Sequence, residues 1–270
     1  MHFGGRLAAI AVAAVALGAG PGAALAGPTW DGIKSEVYGA RAILDGTSLI
    51  KLQAPYRPDN VMSVPLSADV SLPKGRAIKS VAFIVDENPS PVAAVFTLGG
   101  ARDHVALTTN IRLNQQSDVR VIVETATGEL FMAQQLVKFA GGQASCSAPP
   151  QGSPEEIAAN MGKMDLSVVG PRAQASNTVQ RARFELNHPN HTGMVLDQLT
   201  LFYIPLLMVD HVEVRQGDAT VLTLAGSITL AQNPTFEFDY LTNGAGDLTV
   251  IARDTSGATW TRVFPVGPAS

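Results

Sequence analysis

AIKSVAFIVDENPSPVAAVFTLGG, residues 77–100, holds two short apolar, β-branched runs on either side of an Asn/Pro-rich turn. Runs of this length bounded by turn residues read as a pair of β-strands. The same grammar continues in both directions. VMSVPLSADV (61–70) precedes it with alternating apolar and polar residues; HVALTTNIRL (104–113), DVRVIVETAT (118–127) and ELFMAQQLVKF (129–139) follow. LPKGR, GGARD, NQQSD and ATGE punctuate them. Strands recurring at about ten to fourteen residues indicate an antiparallel sandwich or barrel. Helical periodicity is convincing only across DGIKSEVYGARAIL (31–44), where Gly39 weakens it.

A second strand-rich unit begins at Val179. VQRARFEL (179–186), LMVDHVEVRQ (207–216), ATVLTLAG (219–226), TFEFDYL (235–241), DLTVIARD (247–254) and ATWTRVFPV (258–266) are its candidates. Gly217-Asp218, Asn243-Gly244 and Ser256-Gly257 supply tight hairpin turns. LFYIPLLMV (201–209) is its most apolar stretch and is expected to lie in the core or against the first unit. Between the two units the texture changes: Gly141 and Gly142 open a Gly/Ser/Pro-rich segment. Within it Ser153, Pro154 and Glu156 spell the N-cap, first position and capping-box partner of a short helix. VVGPRAQASNT (168–178) then reads as connector. The expectation is an all-β protein of two antiparallel β-sandwich domains, residues 27–142 and 176–270, joined by a segment over 143–175.

Residues 1–26 have the layout of a cleaved secretory signal. Arg6 precedes an apolar run from Leu7 to Ala19, Pro21 breaks it, and Ala24-Leu25-Ala26 offers small residues for cleavage. The expected location is the bacterial periplasm. Net charge is −4 with only 16% charged residues and no basic stripe, which argues against a nucleic-acid partner. The chain has one cysteine, Cys146 in GGQASCSAPPQG (141–152), so no internal disulfide can form. In an oxidising compartment such a thiol is buried, pairs with another chain as a disulfide-linked homodimer, or is kept for chemistry. Its polar, glycine-flanked neighbours favour an exposed, mobile thiol that reaches roughly 20 Å from the preceding strand. Lys138 is the nearest cation in sequence, and Glu155 and Glu156 follow, so nothing adjacent activates it. His188 and His191 in NHPNHTG (187–193) have a spacing that suits a metal, but no third ligand adjoins them, and a strand-end turn is the plainer reading. Asn88-Pro89 and Asn233-Pro234 read as turn formers by default, with a role at an interface as the alternative. No nucleophile elbow, phosphate-cradling loop, paired-carboxylate or haem-attachment motif occurs.

IKLQAP, the 77–98 segment, NIRL and DVRVIVETATGELFMAQQLVKFAGG resemble SoxY, over roughly residues 48–142. NHPNHTG, YIPLLMVDHVEVRQGDATVL, QNPTFEFDY and GDLTVIARDTSGATW resemble SoxZ, over roughly 179–264. With both on one chain, the sequence is similar to the fused sulfur carriers associated with quinoprotein dehydrogenases. The resemblance implies two immunoglobulin-like sandwiches and no catalytic, metal or cofactor site. It makes Cys146 the covalent attachment point for a sulfur-containing intermediate, on a mobile arm opened by Gly141 and Gly142. It also implies periplasmic partners: Sox-type enzymes, a quinoprotein dehydrogenase or a cytochrome c. Two departures stand out. Gln143, Ala144 and Ser145 separate the glycines from Cys146, and the arm is tethered at both ends. The competing reading is an accessory module that docks to such a dehydrogenase or its cytochrome without a covalent cargo.

Overall fold

The computed structural model describes residues 28–139, 141, 144–172, 175–198 and 200–267. The leader-like residues 1–26 lie outside the described residues, as do Gly142 and Gln143. The first half runs α1 (Pro28–Tyr38), β1 (Ile43–Asp45), β2 (Ile50–Gln53), β3 (Val64–Ser71), β4 (Ile78–Val85), β5 (Val92–Leu98), β6 (His104–Ile111), β7 (Ser117–Thr125) and β8 (Leu130–Val137). A 3-10 turn (Ser145–Ser147) and α2 (Pro154–Asn160) lead into the second half: β9 (Met164–Val169), β10 (Val179–Leu186), β11 (Val209–Gln216), β12 (Ala219–Gly226), β13 (Thr235–Leu241), β14 (Asp247–Asp254) and β15 (Thr259–Pro265). The all-β expectation holds, and the long strands fall within a few residues of their sequence positions.

Two elements differ from expectation. The helix starts at Pro28 and stops at Tyr38, because Gly39 takes a φ of 59° and breaks the helical path. Ile43 and Leu44, expected at the end of the helix, pair parallel with β8 together with Asp45 instead. The predicted connector is also shorter than expected. Met164–Val169 is a strand whose Met164 and Leu166 face the core, and it closes the edge of one sheet against β10. Its alternation was masked by the Gly- and Pro-rich residues on either side.

The strands form two sheets among the described residues. One has the order β1-β8-β7-β4-β5-β12-β11-β14-β15, the other β2-β3-β6-β13-β10-β9. Apart from β1, the pairs are antiparallel, so each half is a two-sheet sandwich. Both sheets also run uninterrupted from one half to the other. β5 pairs with β12 from Leu98↔Leu222 to Ala94↔Gly226, and β6 pairs with β13 through Leu107↔Phe238 and Thr109↔Phe236. Burial follows from that geometry. β3 shows one buried and one wetter face, as a half-covered strand should. β4 is buried on both faces, because Trp30 and Ile33 of α1 pack on Ala82 and Ile84 from outside.

The space between the sheets is one continuous core rather than two. Phe83 and Phe96 of the first half meet Phe236 of the second, with ring centroids 5.9 Å (Phe83–Phe96) and 5.6 Å (Phe96–Phe236) apart, both edge-on. Phe184 and Phe238 extend the row. At the seam the two backbones approach closely. A Cβ on Gly99 would lie 1.8 Å from the Thr220 carbonyl oxygen, so only glycine passes there.

A shared core predicts shared unfolding. Phe236→Ala should cost about 3–5 kcal/mol and lower the stability of both halves together. Denaturant unfolding followed by far-UV dichroism and by the fluorescence of Trp30 and Trp260 should give one coincident transition; separate transitions for the halves would contradict the continuous core.

Candidate functional site

The seam is held by a polar network at the end of β6. Arg112, the residue after that strand, is 3% exposed. Its Nη1 donates to the carbonyls of Asn190, Ile228 and Leu230 at 2.9, 3.1 and 2.7 Å, and its Nη2 to that of Pro189 at 3.3 Å. All four acceptors belong to the second half. Asn88, expected as a simple turn former, is buried; its Nδ2 donates to the Arg112 carbonyl and to Thr229 Oγ1, at 2.7 and 3.3 Å. Asn190 repeats the device from the other side. Its φ is 49°, its Nδ2 donates to the carbonyls of Ser227 and Leu230, and its Oδ1 accepts from the Val209 amide.

Cys146 sits in the middle of this network. The sequence predicts a mobile, exposed thiol, but in the structure Cys146 is 0% exposed within the 3-10 turn. Composition alone missed the reason, which is specific docking of the backbone. Asn114 Oδ1 accepts from the Cys146 amide at 3.3 Å, and Thr192 Oγ1 donates to the Cys146 carbonyl at 2.6 Å. Asn114 is itself held by its amide donating to Asn88 Oδ1. Further along, the Gln151 main chain and the Gln232 side chain exchange two hydrogen bonds, at 2.7 and 2.8 Å. The segment is therefore fastened to both halves. Gly141 is exposed with a φ of 95°, a conformation that a side chain would strain.

Electrostatics at the thiol has two opposing parts. Burial pushes its pKa above the ordinary value, and the charge of Arg112 pulls it down, with burial prevailing. The docked cysteine is therefore a neutral, weakly nucleophilic thiol at neutral pH. Arg112 itself is pushed down to about 10 by burial, partly offset by Cys146. Sequence reasoning looked for a cation near Cys146 along the chain and found only Lys138, whose ammonium in fact lies over the Tyr56 ring. Arg112, thirty-four residues upstream, was the missed one.

The two histidines separate into different roles. His188 is buried and its Nε2 lies 3.4 Å from Asp254 Oδ2, while its Nδ1 accepts from the Asn190 amide. Burial holds its pKa down and Asp254 opposes this. It is a structural support for the Asn190 turn, braced edge-on by Trp260. His191 is half-buried, and its pKa is lowered by burial and then by Arg112. No group of three metal-ligating side chains occurs among the described residues.

Beside the docked turn lies an open groove of about 1310 Å³, lined by Ser147, Ile157, His191, Met194 and Phe202 among others. Its rim corrects another expectation. Leu201, Phe202 and Tyr203 are 69%, 75% and 66% exposed, and Leu206 is also exposed. Of the stretch expected as core, Val209 is the residue that is fully buried. Leu201 has a φ of 58° and the chain doubles back at Leu196↔Tyr203, so this stretch forms a projecting loop rather than a strand. α2 matches its sequence signature, with Ser153 and Glu156 forming the reciprocal capping box and Pro154 at the first turn.

The halves on either side of this seam correspond to two known families. The family model for the sulfur oxidation protein SoxY matches residues 34–143, and that for the sulphur oxidation protein SoxZ matches residues 168–265. The chain is a fused SoxYZ-like protein. Cys146 lies just beyond the SoxY match, in the stretch that joins it to the SoxZ match. Among solved structures, the sulfur carrier protein SoxY from Chlorobium limicola f thiosulfatophilum aligns at 23% identity with a TM-score of 0.36. That alignment covers 42% of this chain and 97% of that one. A β-glycosidase from Bacteroides vulgatus aligns at 8% identity with a TM-score of 0.21, over 80% of this chain and 24% of that one. No curated protein matches the chain.

Two outcomes follow from the docked thiol of the fused SoxYZ-like protein. Alkylation of Cys146 should be far slower in the folded protein than in denaturant. Thr192→Val, which removes a bond worth about 1 kcal/mol, should speed the folded-state reaction about fivefold. An unchanged rate would mean that the turn is not held by that bond. Because the folded thiol is harder to ionise than the unfolded one, its contribution to stability is complete below about pH 8.5 and is lost as pH rises above that value. The fall in melting temperature between about pH 8.5 and 10 should therefore be smaller in Cys146→Ser.

Proposed function

We propose that this protein is a periplasmic carrier that holds a sulfur-containing intermediate covalently on Cys146 and presents it to partner oxidising enzymes. The observation that carries this reading is the position of the chain's one cysteine. It lies between the SoxY and SoxZ matches, on a turn fastened at the seam by a few hydrogen bonds. The leader-like first 26 residues support export to the periplasm.

A buried thiol can serve as a carrier only if the turn undocks, and the contacts make that inexpensive. Two hydrogen bonds at Cys146 contribute about 1 kcal/mol each, and the side chain itself is small. An opening cost of about 2–4 kcal/mol leaves on the order of 0.1–3% of molecules open. That is enough for a partner to capture and load the thiol. Docking hides the thiol from stray oxidants between encounters, and opening restores access. The chain supplies attachment and protection, and the oxidative chemistry belongs to the partners. Sox-type enzymes, a quinoprotein dehydrogenase or its cytochrome c fit that description.

The projecting apolar loop favours a second reading, an accessory module that docks to such a dehydrogenase without covalent cargo. One experiment separates the two. Intact mass of the protein taken from its native host, with and without reductant, should show a reducible adduct on Cys146. Cys146→Ser should fold and bind partners normally but lose pathway activity. A bare thiol in every preparation, together with full activity of the Ser variant, would leave the docking module.

A further inference from the structure

Two arginines are buried among the described residues, and their surroundings differ in kind. Arg120 is paired: Asp86 meets its guanidinium at 2.6 Å, and the Trp30 ring covers it at 4.3 Å. That is how a buried cation is ordinarily compensated. Arg112 has no carboxylate partner among the described residues. Its hydrogen bonds go to four neutral main-chain carbonyls, and its Nε is buried with no hydrogen-bond partner. Among the described residues, no carboxylate is paired with this buried guanidinium.

Cys146 is held where that balance can be made. Asn114, two residues beyond Arg112, accepts the Cys146 amide. Thr192, two residues beyond the Asn190 carbonyl that Arg112 binds, donates to the Cys146 carbonyl. The same two chain segments thus grip the guanidinium and the cysteine together. From the second half, His191 also lies near Arg112, with its pKa lowered by burial, and the buried His188–Asp254 pair stands behind the same turn without bonding the guanidinium.

We infer that Arg112 is the resident counter-charge for an anionic group on Cys146, so that the docked segment accommodates negatively charged adducts in preference to neutral ones. This rests on the reading of Cys146 as an attachment point and assigns the residue that faces the charge of an adduct held there. A persulfide or an S-thiosulfonate, each ending in a negative charge, places its anion beside an unpaired guanidinium. A neutral mixed disulfide leaves the cation uncompensated. Arg112 acts here as a positioning and specificity residue. Its bonds to carbonyls of the second half also fasten the seam, so a test must separate charge from scaffold.

Two reagents install matched adducts on the full chain, loaded in denaturant and refolded, with intact mass verifying one adduct per molecule. With tetrathionate, the Cys146 thiolate attacks a central sulfur, forming the S-thiosulfonate and releasing thiosulfate. With methyl methanethiosulfonate it forms the neutral S-methylthio adduct and releases methanesulfinate. In the unaltered protein the anionic adduct should melt at or above the neutral one. In Arg112→Gln the order should reverse, and Arg112→Lys, which keeps the charge, should restore it. A purely structural role would lower both adducts equally and leave their order unchanged, which overturns the inference. So does an anionic adduct that melts below the neutral one in the unaltered protein. If Arg112→Gln does not fold, the order in the unaltered protein and in Arg112→Lys decides. Because the cargo is installed chemically, this result stands apart from whether the native protein carries one.

Discussion

One buried guanidinium organises the centre of this molecule. Arg112 stands at the end of a first-half strand and binds the carbonyls of Pro189, Asn190, Ile228 and Leu230 in the second half. Pro189 and Asn190 are buried, and a buried carbonyl left without a partner costs about 1–3 kcal/mol. Hydrogen-bonded side chains then build outward from it. Asn88 fixes the Arg112 carbonyl, Asn190 fixes the turn beside β11, and His188 with Asp254 props that turn from behind. Strand pairing and the phenylalanine row make the two halves adhere, but these polar contacts set their register at the point where the cysteine lies.

That arrangement changes the meaning of a tether at both ends. A thiol on a free tail searches space by diffusion. Here the turn has a defined resting place, fastened through Asn114, Thr192 and Gln232. The resting state raises the thiol's pKa by burial while keeping a positive charge beside it. The uncharged thiol is therefore stored in a form that reacts slowly. The wall of the groove next to the turn comes from the joining segment, with α2, and from the second half.

Much of this was legible in the residues. Period-two burial and Gly/Asn/Pro turns located the long strands. Ser153, Pro154 and Glu156 located α2, because a capping box is a local device that satisfies its own amides. Three features were not legible. Met164–Val169 is a strand because β10 offers an edge, not because six residues insist on it. LFYIPLLMV looks like core by composition, yet Leu201, Phe202 and Tyr203 project, since the chain reverses there before reaching β11. The exposed-thiol reading of Cys146 failed for the same kind of reason: glycine, serine and proline describe a chain free to move, and say nothing of the side chains waiting for its backbone.

Local sequence by itself therefore determined the all-β class, the order of the long strands, the short helix and the presence of one thiol in the join. Those depend on interactions within a few residues, or on alternation along one strand. The tertiary structure alone decided that both sheets run through the seam, that Cys146 is buried, and that its charged neighbour is Arg112. These depend on residues 32 to 141 positions apart meeting in space, from Asn114 with Cys146 to Asn88 with Thr229. No pattern read along a single chain carries a separation of that kind.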